Sequence, residues 1–154
     1  QSWNKNNQYT FSFSDSHKKT YRVKDTSTEA TLKARLLERM KNSKQMLLII
    51  SSDTNWDRGM LNYEIEKAVD YYKIPIIVAY TGYEAITAPQ KLAVKWTEVL
   101  YHRINYQLAH CIHIPFKKIA IENALNQFSV HDGYNELGPL TCYTRETYRT
   151  WGLV

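Results

Sequence analysis

Apolar positions along this chain follow two rhythms that alternate from one segment to the next. Tyr9-Thr10-Phe11-Ser12-Phe13 alternates aromatic and small polar residues with a period of two, which predicts a strand. Ser14 to Asp25 is polar and basic and reads as a loop. Thr26-Ser27-Thr28-Glu29 fits a capping box, with Thr26 accepting from a free backbone N–H and Glu29 reaching back. The helix it opens places Leu32, Leu36, Leu37 and Met40 on one stripe, leaves Lys33, Arg35, Glu38, Arg39 and Lys41 for water, and ends at Asn42-Ser43. Met46 to Ile50 is apolar throughout, as a strand covered on both faces would be. Ser51 to Asp57 is a polar loop, and a second helix follows from about Met60 to Tyr72, striped by Leu61, Ile65, Ala68, Val69 and Tyr72.

The alternation continues to the end. Pro75 precedes a buried strand, Ile76 to Tyr80, and a loop with Gly82 and Pro89 leads into one helix from Gln90 to about Gln107. Leu92, Trp96, Val99, Leu100 and Ile104 form its stripe. His110 to Ile114 is a short strand, and Phe116 to Phe128 is helical, with Ile119, Ala120, Ala124 and Phe128 inward. From Ser129 the glycines and Pro139 mark a loop, and Thr144 to Trp151 can add a short helix closing over the core. Strands alternating with helices predict βα units and a central parallel sheet with right-handed crossovers. Ligands of such sheets bind outside the C-terminal strand ends, here the loops Ser51–Asp57 and Thr81–Pro89. There is no internal repeat and no low-complexity segment.

Composition narrows the classes. A chain of 154 residues is one domain, long enough to bury a core without staples. No apolar run approaches the roughly 20 residues of a membrane helix. Two cysteines, Cys111 and Cys142, make no disulfide framework, so a reduced, cytoplasmic setting is expected. The net charge of +5 is compatible with an anionic ligand, but basic residues usually just solvate a surface. Residue 1 is Gln and nothing reads as a signal peptide, so a fragment or trimmed product is expected.

The chemistry-bearing residues concentrate around the first rim loop. Ser51, Ser52, Asp53, Thr54 and Trp56 follow a buried strand, where hydroxyls, carboxylates and an indole can meet a ribose or a base. Their plainer role is to cap the next helix. Trp56, Met60 and Glu64 are spaced by four and share a helix face near that rim. A carboxylate there, partly desolvated by Trp56 and Tyr63, can hold sugar hydroxyls and stabilise an oxocarbenium-like transition state as an N-glycosidic bond breaks. The plainer role for Glu64 is a solvated glutamate paired with Lys67 or Lys73.

Read in order, Leu47–Ile50, Ser51–Thr54, Trp56 and Tyr63-Glu64-Ile65 resemble the TIR-like family that includes the sensor proteins of bacterial Thoeris antiphage systems. Phe11-Ser12-Phe13-Ser14-Asp15, the Thr26–Ser43 helix, Ile76–Ala79 and His113-Ile114-Pro115-Phe116 extend the resemblance from Tyr9 to Phe128. It implies a flavodoxin-like three-layer α/β sandwich with a central parallel sheet, a TIR-like domain over residues 1–128 and a C-terminal extension over 129–154 packing on it. The family's opening strand, with its Ser-Phe or Ser-Tyr end, is expected to be missing here.

The resemblance also implies nucleotide signalling. Many TIR relatives cleave NAD at the nicotinamide–ribose bond, and some cyclise the product into a messenger. The family's catalytic glutamate falls on Glu64, its aromatic neighbour on Trp56 and its strand-end serine on Ser51 or Ser52. No cofactor or metal is then needed, and NAD enters as the candidate substrate. Expected partners are a nucleotide such as NAD and either a second copy or another protein, with no membrane and no nucleic acid. Other TIR domains are inactive adaptors, so a non-catalytic interaction module is the alternative. A nucleoside deoxyribosyltransferase-like enzyme, with the glutamate as nucleophile, is a further one. Gly59, inside the early helix, weakens that turn.

Weaker constellations complete the survey. Period two sends Cys111 and His113 to one face and His110 to the other, so these three do not converge on a metal. Asp53 resembles a phosphoacceptor aspartate, but no acidic pair precedes it. Lys18, Lys19, Arg22 and Lys24 form a basic loop around Tyr21 that can touch phosphates or simply be solvated. Trp96, Tyr101, Tyr106, Tyr134, Tyr143, Tyr148 and Trp151 read as packing residues.

Overall fold

The computed structural model describes residues 28–52 and 59–154. The expected strand at Tyr9–Phe13, the basic loop and Thr26 fall outside these residues. The chain divides into two compact units, residues 1–42 and 43–154.

In the first unit, α1 spans Glu29–Lys41. Its cap is Thr28, two residues later than the expected Thr26: Thr28 sits in an extended conformation and its hydroxyl accepts from Thr31 N–H at 3.2 Å. Glu29 is then the first helical residue, too early to reach back as a capping-box partner. It instead lies near the positive end of the helix dipole and pairs with Lys33 at 2.9 Å. Leu36 and Met40 carry the buried stripe, and Asn42 closes the helix through its N–H.

The second unit is built on four parallel strands in the order β1 (Met46–Ile50), β2 (Ile76–Tyr80), β3 (Cys111–Pro115) and β4 (Thr141–Cys142). The fold is mixed α/β, a parallel sheet flanked by helices, of the flavodoxin-like kind. β2 lies between β1 and β3 and every one of its residues is buried, which is why it is wholly apolar. β1 differs from the expectation of cover on both faces. Leu48 and Ile50 are buried, but Ile49 is 44% exposed. Among the described residues β1 is an edge strand, paired only with β2.

The register aligns Ile50, Tyr80 and Pro115, so β1, β2 and β3 end together at one rim. Thr81 N–H donates to Ile50 O at 3.0 Å and Phe116 N–H to Tyr80 O at 2.7 Å, lacing that rim. On one sheet face Leu48, Ile50, Ile76, Val78, Tyr80 and Cys111 join Leu61, Ile65 and Val69 of the helix after β1 and Leu92, Trp96, Leu100 and Ile104 of the next helical segments in one core. That first helix, α2, spans Gly59–Glu66 and continues as a π-helical turn through Lys67–Tyr71.

The expected single helix from Gln90 to Gln107 is instead two. A 3₁₀ segment runs over Pro89–Lys95, Trp96 is extended, and α3 spans Glu98–Asn105. Thr97 causes the restart: its buried hydroxyl caps α3 by accepting from Leu100 N–H at 3.2 Å. Arg103 of α3 grips Asp70 of the π turn with two nitrogens, at 3.1 and 2.6 Å, holding α3 beside α2.

α4 (Lys118–Gln127) packs on β2 and β3 through its buried Ala120, Ile121 and Ala124. The chain then turns at Gly133, where φ is +69° and a Cβ would run into the Gln127 carbonyl and the Phe128 ring. β4 pairs Thr141 with Ile112 and Cys142 with His113. It was read as loop because two residues leave no periodicity. The expected terminal helix is present as α5 (Arg145–Thr150), capped by Thr144. Among the described residues, no helix is long and apolar enough to cross a membrane.

Candidate functional site

Of the residues singled out from sequence, Ser51 and Ser52 lie at the C-terminal rim of β1. Ser51 is the first residue past the strand and is half-buried, and Ser52 is exposed in the turn that follows. Asp53, Thr54 and Trp56 lie outside the described residues. The chain re-enters at Gly59, the first residue of α2, and Glu64 is the sixth residue of that helix. At 1.5 Å per residue, Glu64 lies about 7.5 Å along the axis from the helix start.

Glu64 is buried, with 6% of its surface exposed. The solvated reading of this glutamate is therefore wrong: it packs on the same side of α2 as Leu61, Ile65 and Ala68, all of them buried. Lys67 lies instead over the Tyr63 ring, its Nζ 5.4 Å from the centroid. Burying a carboxylate is unfavourable unless it is paired or hydrogen-bonded, so carboxylates are seldom found this deep. The π turn begins three residues after Glu64, at Lys67, and such turns are frequent at functional sites. Two residues from Glu64, the Asn62 side-chain oxygen is buried without a hydrogen-bond partner.

Below the rim runs a buried polar chain that sequence reading did not assemble. Trp96 Nε1 donates to Tyr80 Oη at 2.7 Å, Tyr80 Oη lies 2.7 Å from His113 Nδ1, and His113 Nε2 lies 2.9 Å from Pro139 O. The ends of this chain fix its protons. An indole can only donate and a carbonyl can only accept. Tyr80 therefore donates to Nδ1, and His113 is neutral with its proton on Nε2. Burial acts in the same direction, holding the His113 pKa down to about 4 and raising that of Tyr80. The Tyr80 and His113 rings also stack with centroids 5.9 Å apart, and the Trp96 ring is tilted against His113 at 5.6 Å. The signal for this cluster was present in part: period two already aimed Cys111 and His113 at the same face. The partner, Tyr80, is 33 residues away and is brought there only by the parallel register.

The neighbouring histidine and cysteines have other surroundings. His110 stacks on Tyr134 with centroids 4.0 Å apart and bonds its carbonyl through Nδ1 at 3.1 Å. Burial pushes the Cys111 thiol up to about 12, which keeps it protonated and unreactive.

The second rim loop, Thr81 to Ala88, is held at several points. Glu84 pairs with Lys117, beyond β3, at 2.8 Å. Ile86 is buried in the core, and its carbonyl accepts from Tyr148 Oη at 3.2 Å. Among the described residues, this rim thus carries Ser51, Ser52 and the Thr81–Ala88 loop, with the buried Glu64 in the helix that follows β1.

Comparison with known families places this rim in context. The family described as Thoeris protein ThsB, TIR-like domain, matches residues 1–85, more than half of the chain. The match covers Ser51, Ser52, Asp53, Thr54, Trp56 and Glu64, and stops before Ile86, Trp96, His113 and Tyr148.

Proposed function

The chain belongs to the Thoeris ThsB TIR-like family, and on that premise we propose that it is an antiphage signalling domain that breaks the N-glycosidic bond of NAD. The observation that carries this reading is the burial of Glu64, 6% exposed, in the helix that follows the β1 rim loop. In the proposed reaction Glu64 holds the ribose hydroxyls and stabilises the positive charge that develops at the anomeric carbon. The bond from that carbon to the pyridinium nitrogen breaks, and its electron pair leaves with neutral nicotinamide. Water then completes a hydrolysis and loses a proton, or a nucleophile within the ADP-ribose completes a cyclisation. Ser51 and Ser52 serve as contacts for ribose or phosphate, and Trp56 as the pocket wall. The chain's own side chains suffice, and no metal or cofactor enters a step.

Incubating concentrated protein with NAD and following nicotinamide release by mass tests the proposal. Release with matching loss of NAD supports it, and the mass of the second product separates hydrolysis from cyclisation. Undiminished NAD sinks it and favours the second reading, a non-catalytic interaction module. That reading draws on the large exposed side chains Tyr71, Tyr106 and Leu108, which follow from the ends of α2 and α3 and are 71%, 67% and 52% exposed.

A further inference from the structure

The second rim loop is not self-supporting. Thr81 N–H is tied to Ile50 O and Glu84 to Lys117, both outside the loop, while Gly82 takes φ +83° and Thr87 is exposed, so the loop Thr81 to Ala88 is held by contacts from elsewhere. Its one deeply buried side chain is Ile86, 3% exposed, and the Ile86 carbonyl goes inside with it. A buried carbonyl needs a donor. That donor comes from the far end of the chain, the Tyr148 hydroxyl in α5.

Tyr148 is itself fully buried and locked in place. Its ring meets Tyr143 edge-on at 6.3 Å and Trp151 at 5.7 Å, and those two rings meet each other at 4.9 Å. A helix of six residues would not hold such a position alone. The segment leading to it is pinned as well: Gly138 O accepts from Cys111 N–H at 3.0 Å, Pro139 O accepts from His113, and Tyr143 Oη donates to Gln127 at 2.9 Å. Residues 138–151 thus run as a strap from alongside β3, where they include β4, to the β2 rim loop. Burial keeps the Tyr148 hydroxyl protonated, with its pKa pushed up to about 12, so it remains a donor at any neutral pH.

We propose that Tyr148 is a positioning residue, through which the C-terminal strap sets the conformation of the Thr81–Ala88 loop beside the candidate nucleotide site. The family match ends at residue 85, so this device lies outside what family membership supplies. Only the purpose of the loop rests on the NAD reading. The strap itself is a claim about Tyr148 and Ile86.

The test replaces one atom. Tyr148→Phe keeps the ring and its packing but leaves the Ile86 carbonyl without a donor, so the loop opens to let water reach it. Native-state cleavage by a glutamate-specific protease, with fragments identified by mass, reads this at Glu84. Glu122, inside α4, is the internal control. Cleavage after Glu84 is expected to accelerate about fivefold, the population change that one net hydrogen bond supports, and to stay far faster than cleavage after Glu122, which only wider unfolding exposes. Equal rates at Glu84 in parent and variant, or cleavage after Glu122 as fast as after Glu84, would overturn the strap. In the NAD assay the same variant is expected to raise KM while kcat holds. Unchanged kcat and KM would detach the loop from the site and leave the strap standing. An inactive parent protein would remove the NAD reading, and the protease result would still decide the strap.

Discussion

Acid should loosen this protein through one residue. His113 is fully buried, accepts from Tyr80 through Nδ1 and donates to Pro139 O through Nε2. A second proton has no place to go. It would put an N–H against a hydroxyl that already receives the Trp96 indole, and would charge a ring inside the core. The folded pKa is accordingly about 4, against an ordinary value of 6.5. The unfolded chain therefore takes up the proton first as pH falls, and stability drops with it. The contribution is complete above about pH 6.5 and is lost as pH falls toward about 4, in all about 3 kcal/mol. Roughly 2 kcal/mol of it is gone between about pH 7 and about pH 5, a sizeable part of the 5–15 kcal/mol typical of a domain. Other histidines and the carboxylates also titrate, so the measurement is a difference. His113→Gln can accept from Tyr80 and donate to Pro139 but does not titrate. Urea unfolding of both proteins across that range should show the parent losing about 2 kcal/mol more than the variant. Parallel pH profiles would refute the reasoning, because they would mean that His113 gains its proton as easily folded as unfolded.

Other substitutions probe neighbouring parts of the argument. Tyr80→Phe strands both Trp96 Nε1–H and His113 Nδ1 in the core, and should cost about 2–4 kcal/mol by urea unfolding; a loss below about 1 kcal/mol would mean water repairs the chain. Thr97→Ala should cost about 1 kcal/mol and Thr97→Ser much less, because the hydroxyl that caps α3 is what restarts the helix. Gly82→Ala pays only for its left-handed backbone, about 1–2 kcal/mol, since open space surrounds it. Gly133→Ala should cost clearly more, because its Cβ also meets backbone; equal losses would show that the turn yields.

The strands were legible because burial writes itself plainly there. Ile76 to Tyr80 is apolar throughout because β2 has neighbours on both sides and cover on both faces. The helix break at Trp96 was not legible, since Leu92, Trp96, Val99, Leu100 and Ile104 keep helical spacing straight across it. Only the cap made by Thr97 reveals the interruption. The same ambiguity moved the start of α1: Thr26 and Thr28 both suit a cap, and the helix begins after the second. For Glu64, spacing left open whether the side chain faces water or the interior, because a helix face is buried only by what packs on it. Burial of the Leu61, Ile65 and Ala68 side settles the direction. The His113 chain and the Tyr148 tie needed topology, because residues 33 and 62 positions apart meet only after the sheet is assembled.

Nicotinamide release from NAD by the concentrated parent protein, with Glu64→Gln beside it, is the most direct measurement. The substitution keeps the size of the buried side chain and removes its charge. The parent should consume NAD and the variant should be slower by on the order of 100-fold or more, with both proteins melting alike. Turnover by Glu64→Gln at the parent's rate, or none by the parent, would contradict the assignment of this rim as a nucleotide-cleaving site.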